Sequence, residues 1–586
     1  MILVKYNKTK LVVFSLAFIL ITILFTPSVM SINTYIDRPD KTISLFDGYI
    51  LYTPEYSKET YVIDKNGDIV HSWESNNIQA FGVYLLDNGK MLRSSMPYIN
   101  PTFLGGGVTG CVEKFDWNGN LIWSYEYSNN KHCLHHDIEP MPNGNVLMIA
   151  WEHKTAQQAI QAGRDPDLIP SGQLWPDHII EVKPTGPRSG EIVWEWHVWD
   201  HLIQDFDPTK DNYGVVADHP ELIDVNFGYL PILGDWNHVN SIDYNEELDQ
   251  ILLSSRHLNE IWIIDHSTTT EEAAGHTGGN SGKGGDILYR WGNPKAYRAG
   301  TAEDQTFFAQ HDANWINKGN PGEGHILVFN NGNGRPGTYY SEVNEIITPV
   351  DSQGNYNLEP GSAYNPISPT WTYTADTPKD FYAGHLSSAQ RLSNGNTLVC
   401  NGPEGKFFET TPQNTIVWQY QNPYPNLLQN DVFKIQFISV EVLPPEEPDL
   451  HCDGSINWAN VNSGEVIYDS FSIKNIGYPD SSLYWDIESY PEWGTWSFEP
   501  KNGEGLKPED GQIEVNVTIN LPNKMNKDFE GSLRIVNQDN SADFDIIPIH
   551  ITTSITRNHR ELNFFENFNR LGHKLFDFFK YVFKNL

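Results

Sequence analysis

Three histidines occupy one phase of a repeated pattern. His136 lies in HHDIEPMPNGN, His238 in NHVNSIDYNEELDQ and His311 in QHDANWINKGN, each eight residues before a turn position held by Gly144, Glu246 or Gly319. The corresponding position is Phe81 in an earlier repeat and Ser387 in a later one, where His385 stands two residues upstream. A single histidine is usually structural, but three in phase on separate repeats mark one locus. Imidazole, with an ordinary pKa of about 6.5, serves as nucleophile, acid or base near neutral pH. Residues paired across an antiparallel turn are equidistant from its centre, and His238 with Arg256 centres on Glu247. The same arithmetic sets Asn330 or Asn331 beside His311, and Trp151 or Glu152 beside His136. Imidazoles converging with a guanidinium make an anion site, because the arginine fork matches sulfate or phosphate oxygens.

Such residues converge only if the repeats are arranged radially. An aromatic phrase recurs: GDIVHSW (67–73), GNLIWSY (119–125), GEIVWEW (190–196), GDILYRW (285–291), PTWTY (369–373) and NTIVWQY (414–420). Most copies follow an apolar run, a turn and a second apolar run, as in VYLLDNGKMLRSS and AQRLSNGNTLVCN. Asn-Gly between β-type runs is the strongest short hairpin signal. Each repeat therefore supplies about four strands, and the pattern predicts an all-β chain with a six-bladed β-propeller over 45–445. The first strand of each blade lines the central channel, which brings in-phase positions to one rim. The aromatics are read as packing between blades, and DVFKIQFISVEV (431–442) as the strand that closes the ring.

The 586 residues are too many for one ordinary core. The 46 glycines and 36 prolines fit an all-β protein rich in turns. A net charge of −36 argues against a nucleic-acid partner, and any anionic substrate must be drawn in by local cationic groups. Residues 1–30 carry lysines, then the uncharged run LVVFSLAFILITILF (11–25), as a signal peptide or N-terminal anchor does. Both readings place the chain outside the cytoplasm, secreted or anchored to the cell surface. Four cysteines are too few for a disulfide scaffold, and Cys111 with Cys133 is the pair to test against buried free thiols. Beyond the acidic, proline-rich LPPEEPD, residues 446–555 alternate apolar and polar as an immunoglobulin-like sandwich does. Residues 557–586 form a basic, Phe-rich amphipathic pattern suited to contact with a membrane surface.

The phrases HHDIEPMPNGNVLMIAWEH, DWNHVNSIDYNEELDQILLSSRHLNEIWIID, GGDILYRWGNP, QHDANWI and AQRLSNGNTLVCNG resemble the arylsulfate sulfotransferase family over roughly 45–445. The histidine of WNHVNS and the arginine of SSRH are the most specific part of the likeness. The resemblance implies an exported six-bladed propeller that moves a sulfuryl group from a phenolic sulfate ester to a phenol without a nucleotide donor. It also implies a ping-pong route through a sulfohistidine. Carried onto this chain, His311 would be the nucleophile, with His136, His238 and Arg256 holding sulfonate oxygens and managing the phenol proton. His135 is the alternative to His136, and Asn330, Asn331, Ser387 and His385 are further substrate-binding candidates.

Other chemistries fit less well. GHTGGNSGKGG (275–285) fails the phosphate-loop spacing, since Thr277 stands where glycine is needed and Gly284 where Ser or Thr is needed. No cofactor is expected. Clustered histidines could bind zinc in a metal-dependent hydrolase, but an arginine on the same rim would repel the cation, so no metal is expected there either. A non-catalytic propeller binding module is the other alternative, because fold alone does not settle function.

Overall fold

A computed structural model describes residues 36–37, 45, 48–78, 80–86, 89–228, 230–439, 448–477 and 481–554. The expected signal or anchor at 1–30 and the amphipathic helix at 557–586 lie outside the described residues, and no described helix is long and apolar enough to cross a membrane. Two compact units divide between residues 442 and 443.

Strands dominate the first unit because its sequence is a succession of short, alternating runs broken by turns. Among the described residues, six antiparallel sheets follow one another along the chain, five of four strands and the last of five. Their first strands are Val432–Ile438, Val83–Leu85, His132–Pro140, Val239–Asn245, His311–Trp315 and Ser388–Arg391. These inner strands pack against their counterparts around a ring, as in a β-propeller. Ring closure comes from the end of the unit: Val432–Ile438 pairs antiparallel with Tyr49–Pro54, with Tyr52 opposite Ile435. The two-residue strand Ile36–Asp37 adds to the outer edge of the last sheet, against Ile416–Gln421.

The aromatic phrase is the outermost strand of the first five sheets and lies just inside Ile36–Asp37 in the last, and its tryptophans explain why it recurs. Trp73 Nε1 donates to the Asp116 carbonyl (2.8 Å), Trp123 to Ser189 (3.0 Å) and Trp196 to Gly285 (2.7 Å). Trp291 donates to Pro366 (2.6 Å), Trp371 to Pro412 (2.9 Å) and Trp418 to Lys65 (2.9 Å). Each indole thus crosses from its own sheet to the backbone of the next, and the sixth returns to the first. A buried indole N–H needs an acceptor, and a ring of sheets supplies one at every seam. Apolar cores fill those seams; one joins Ile149, Trp194 and Trp196 to Ile251, Trp262 and Ile264 of the following sheet.

The second unit contains a four-stranded and a five-stranded sheet that share one apolar core around the fully buried Trp485. Burial alternates along its strands, as in Gln512–Asn520, where Val515, Val517 and Ile519 point inward. Ile456–Val461 and Phe544–Thr553 pair in parallel, and the remaining ladders are antiparallel.

Candidate active site

The in-phase histidines sit where three consecutive sheets break register. The shift falls between Met148 and Ala150 in the third sheet, Val239 and Ile242 in the fourth, and His311 and Asn314 in the fifth. A bulge leaves extra residues unpaired and re-aims their side chains. Backbone strain marks the same level: His136 (φ 54°), His238 (φ 53°), Asp312 (φ 49°) and Ser387 (φ 88°) all lie in the left-handed region. Non-glycine residues are rare there, and such outliers cluster at functional sites.

The aimed side chains meet in a cavity of about 590 Å³. His136, His238, Arg256, His257, His311 and His385 line it with Asp235 and Glu55. Phe81, Ile232, Leu233 and Leu386 give it an apolar side, and Gly105–Gly107 form part of the wall. The His136 and His238 rings are 4.5 Å apart, centroid to centroid. Phe433, from the closing strand, sits 5.8 Å from His136 and 6.2 Å from His311.

Hydrogen bonds fix the tautomer of His311. Its Nδ1 lies 2.7 Å from Asn331 Oδ1 and 3.2 Å from the Ala309 carbonyl. The Asn331 amide is itself oriented, because its Nδ2 donates to the carbonyls of Ala383 (2.8 Å) and Leu386 (2.9 Å). Both groups facing Nδ1 are therefore acceptors, so Nδ1 carries the proton and Nε2 keeps its lone pair. His238 Nδ1 is 2.5 Å from Asp235 Oδ2, and the other oxygen of that carboxylate accepts from Trp151 Nε1. His136 Nδ1 faces His135 Nδ1 at 2.8 Å, so one ring donates and the other accepts. Behind them His135 stacks on Trp151 at 3.9 Å, and its Nε2 lies 2.8 Å from Asp177 Oδ1, off the line of a hydrogen bond.

Burial, and secondarily the Arg256 charge, holds the imidazoles of His238 and His311 well below their ordinary 6.5. For His136 burial again comes first, followed by the neighbouring His238, His135 and His311 and then Arg256. The Asn331 hydrogen bond opposes the shift at His311 without overcoming it. These rings are neutral at pH 7, and burial raises the Asp235 carboxyl above its usual range. In a molecule of net charge −36, a partly buried Arg256 among neutral imidazoles makes a local positive field.

The structure brings together His136, His238, Arg256, His311 and His385, with Asn331 one hydrogen bond away. Arg256 stands opposite His238, its backbone N–H donating to the His238 carbonyl at 3.1 Å. The pairing expected for the other two histidines is corrected by the bulges. His311 pairs with Phe329, and Asn331 reaches it only through its side chain. Trp151 pairs with Cys133 and Glu152 with His132, leaving His136 in the bulge. His135, Asn330 and Ser387 do not line the cavity. Asn330 bonds the backbone at Phe308 and Thr306, and Ser387 Oγ accepts from Gly402 N–H. Cys111 and Cys133 are separate buried thiols.

Sequence reasoning missed Asp235, His257, Phe433 and Gly105–Gly107. Asp235 and His257 each lie within three residues of a predicted site residue, which is a usable signal; the glycines sit in a loop outside the repeat. Asp235, His238 and His257 bring ligand-type atoms within 4.8 Å of one another, a set that could hold a divalent cation, with the Arg256 charge set against it.

Comparison with known proteins agrees with the sequence likeness. The chain is 29% identical over 302 residues to the arylsulfate sulfotransferase AssT of Escherichia coli O6:H1, covering 45% of this chain and 47% of that protein. It is 28% identical over 255 residues to the AssT of Lelliottia amnigena, covering 38% of each. The matched stretch thus spans about half the length of the first curated relative and less of the second. Among solved structures, it is similar to a protein of unknown function from Bacteroides caccae (12% identity, TM-score 0.37, 67% of this chain and 99% of that one). It is also similar to a streptogramin B lyase (12% identity, TM-score 0.32, 69% and 98%). At those scores the structural likenesses carry no functional argument. The family model for arylsulfotransferases matches residues 29–430, across the sheets that carry His136, His238, Arg256 and His311, and the chain belongs to that family.

Proposed function

We propose that this protein transfers a sulfuryl group from a phenolic sulfate ester to a phenol through a covalent intermediate on His311. The observation that carries this reading is the tautomer of His311: Asn331 and Ala309 hold the proton on Nδ1, so the lone pair is on Nε2. The lone pair attacks sulfur as the bond from sulfur to the aryl oxygen breaks. Arg256 neutralises the sulfonate oxygens and the growing charge on the leaving oxygen. With the sulfate anion bound, His238 is protonated on both nitrogens, Nδ1 toward Asp235 and Nε2 toward the bridging oxygen. It gives the second proton to the departing phenolate. In the second half-reaction an acceptor phenol returns that proton to His238, attacks sulfur and releases His311, so each proton and electron pair is accounted for. Sulfuryl transfer needs little covalent help when the transition state is loose, so positioning and charge carry the rate.

Phe81, Ile232, Leu233 and Leu386 supply apolar surface for an aromatic ring beside the charged end of the cavity. An extracytoplasmic location, called for by the uncharged run 11–25, belongs to the same reading. The test uses a chromogenic aryl sulfate with phenol as acceptor, and a sulfur-labelled donor without acceptor. Label trapped on the peptide containing His311, and lost in His311→Ala together with turnover, supports the proposal. Equal chromophore release by both proteins removes His311 from the mechanism.

A further inference from the structure

A second group of ligating side chains lies outside the cavity just described, on the glycine-rich loop that fails as a phosphate site. His276 and Asp286 bracket that loop, and His201 follows the short turn Val198–Asp200 at the end of the third sheet's outer strand. Asp286 Oδ1 lies 2.7 Å from His276 Nδ1 and 3.0 Å from His201 Nδ1, and the three ligand atoms lie within 4.8 Å of one another.

The surroundings of His201 prepare it as a ligand. Its Nε2 is 2.9 Å from the Ala273 carbonyl, which can only accept, so Nε2 carries a proton. With Nε2 committed to that carbonyl, Nδ1 is the nitrogen turned toward Asp286 Oδ1, the side on which a bound cation would sit. Carbonyl-anchored imidazoles with the far nitrogen free are the usual second-shell arrangement of metal-binding histidines. The ring lies nearly parallel to Trp196 (5.5 Å, 9°), whose indole is tied to the Gly285 carbonyl. A Cβ at Gly285 would sit 1.9 Å from the Ala273 oxygen and 2.7 Å from His201 Nε2, so only glycine leaves room for this anchor.

We propose that His201 Nδ1, His276 Nδ1 and Asp286 Oδ1 form a site for a zinc-class divalent cation that pins the loop 275–286 to the third sheet. Two imidazoles and one carboxylate select zinc over calcium or magnesium, which take oxygen ligands. Bonds of about 2.0–2.2 Å around a tetrahedral ion set neighbouring ligand atoms about 3.3 Å apart, so the two contacts to Asp286, 3.0 and 2.7 Å, widen by about 0.3 and 0.6 Å. His276 has the freedom to do this, its side chain being 60% exposed. It also lines a cavity of about 1060 Å³ with Trp199, His219 and Leu222, through which the ion and a water as fourth ligand reach the site.

The test takes the full chain, stripped with a chelator and desalted, and titrates zinc in competition with a chromophoric chelator. One zinc per chain is expected, weakened about 10- to 100-fold or more in His276→Ala and in Asp286→Asn. His276 is largely solvated, so its truncation leaves the core intact and loss of binding is not loss of fold. His238→Ala should retain the zinc, which separates this cluster from Asp235, His238 and His257 in the cavity. Trypsin reports the pinning, since exposed Lys283 lies within the loop: zinc should slow cleavage after Lys283 in the wild type and not in His276→Ala. No zinc, zinc held equally well by His276→Ala, or zinc lost in His238→Ala overturns the assignment. Binding that leaves the Lys283 cleavage rate unchanged overturns the pinning.

Discussion

Replacing Asn331 by alanine removes the side-chain acceptor that holds the His311 proton on Nδ1. The 2.7 Å bond from Nδ1–H to Asn331 Oδ1 is the shorter of two; the Ala309 carbonyl at 3.2 Å is all that remains. Leaving a buried donor poorly satisfied costs about 1–3 kcal/mol. On a covalent pathway the loss grows as His311 gains positive charge on attacking sulfur, because hydrogen bonds to ionised groups are roughly twice as strong. At about 1.4 kcal/mol per factor of ten, kcat should fall about 5- to 150-fold. KM should hold, since the interaction strengthens only as sulfur is attacked. The variant also strips donors from the carbonyls of Ala383 and Leu386, so a lower Tm is expected alongside. Initial rates of chromophore release from an aryl sulfate, with phenol in excess and the donor varied, give kcat and KM separately. A kcat within about twofold of wild type, in protein that melts cooperatively, would refute the claim that Asn331 sets the nucleophile.

Three further outcomes follow from the same geometry. Arg256→Met removes a positive charge that holds His311, His238 and His136 down, so their pKa values rise and the acid limb of kcat/KM moves to higher pH, with the rate falling about 100- to 1000-fold; a pH–rate series checks both. Gly107→Ala places a Cβ 2.0 Å from the His136 ring at a φ of +83°, so turnover should collapse while far-ultraviolet circular dichroism stays that of the wild type. Burial alone would lower His266, but Asp249 and Glu181 outweigh it and hold its pKa at about 9. Above the unfolded value of about 6.5 this means stability fully present at lower pH and lost as pH rises through 9, so the Tm gap between wild type and His266→Ala should close between pH 7 and 10.

The hairpins and the aromatic outer strands were legible because their signals are local: Asn-Gly turns, period-two alternation and one indole per repeat. The phase of His136, His238 and His311 was legible for the same reason, and Arg256 opposite His238 followed from counting back across one turn. That counting failed at His311 and His136, where the bulges shift register by residues no turn signal announces. Asn331 therefore reaches its partner by side-chain length rather than by ladder position. Asn330, one residue earlier, points the other way and bonds the backbone at Phe308 and Thr306. Ser387 shares the phase and the strained backbone of the histidines, yet its hydroxyl is spent on Gly402. Gly105–Gly107 come from a loop between two strands of the second sheet that carries no repeat signal, and Phe433 reaches the cavity only through the strand that closes the ring.

The strand Val432–Ile438 closes the ring, and it also delivers Phe433 to the histidines and Lys434 to the buried carboxylates of Asp137 and Asp312 (3.0 and 3.3 Å). A growing polypeptide therefore has no finished reaction chamber while that strand is still unmade. Five sheets can hydrogen-bond in order of synthesis, but the first waits for a partner nearly four hundred residues downstream. Competence arrives in one step, which waits until that strand has been made and the two ends of the circle have met.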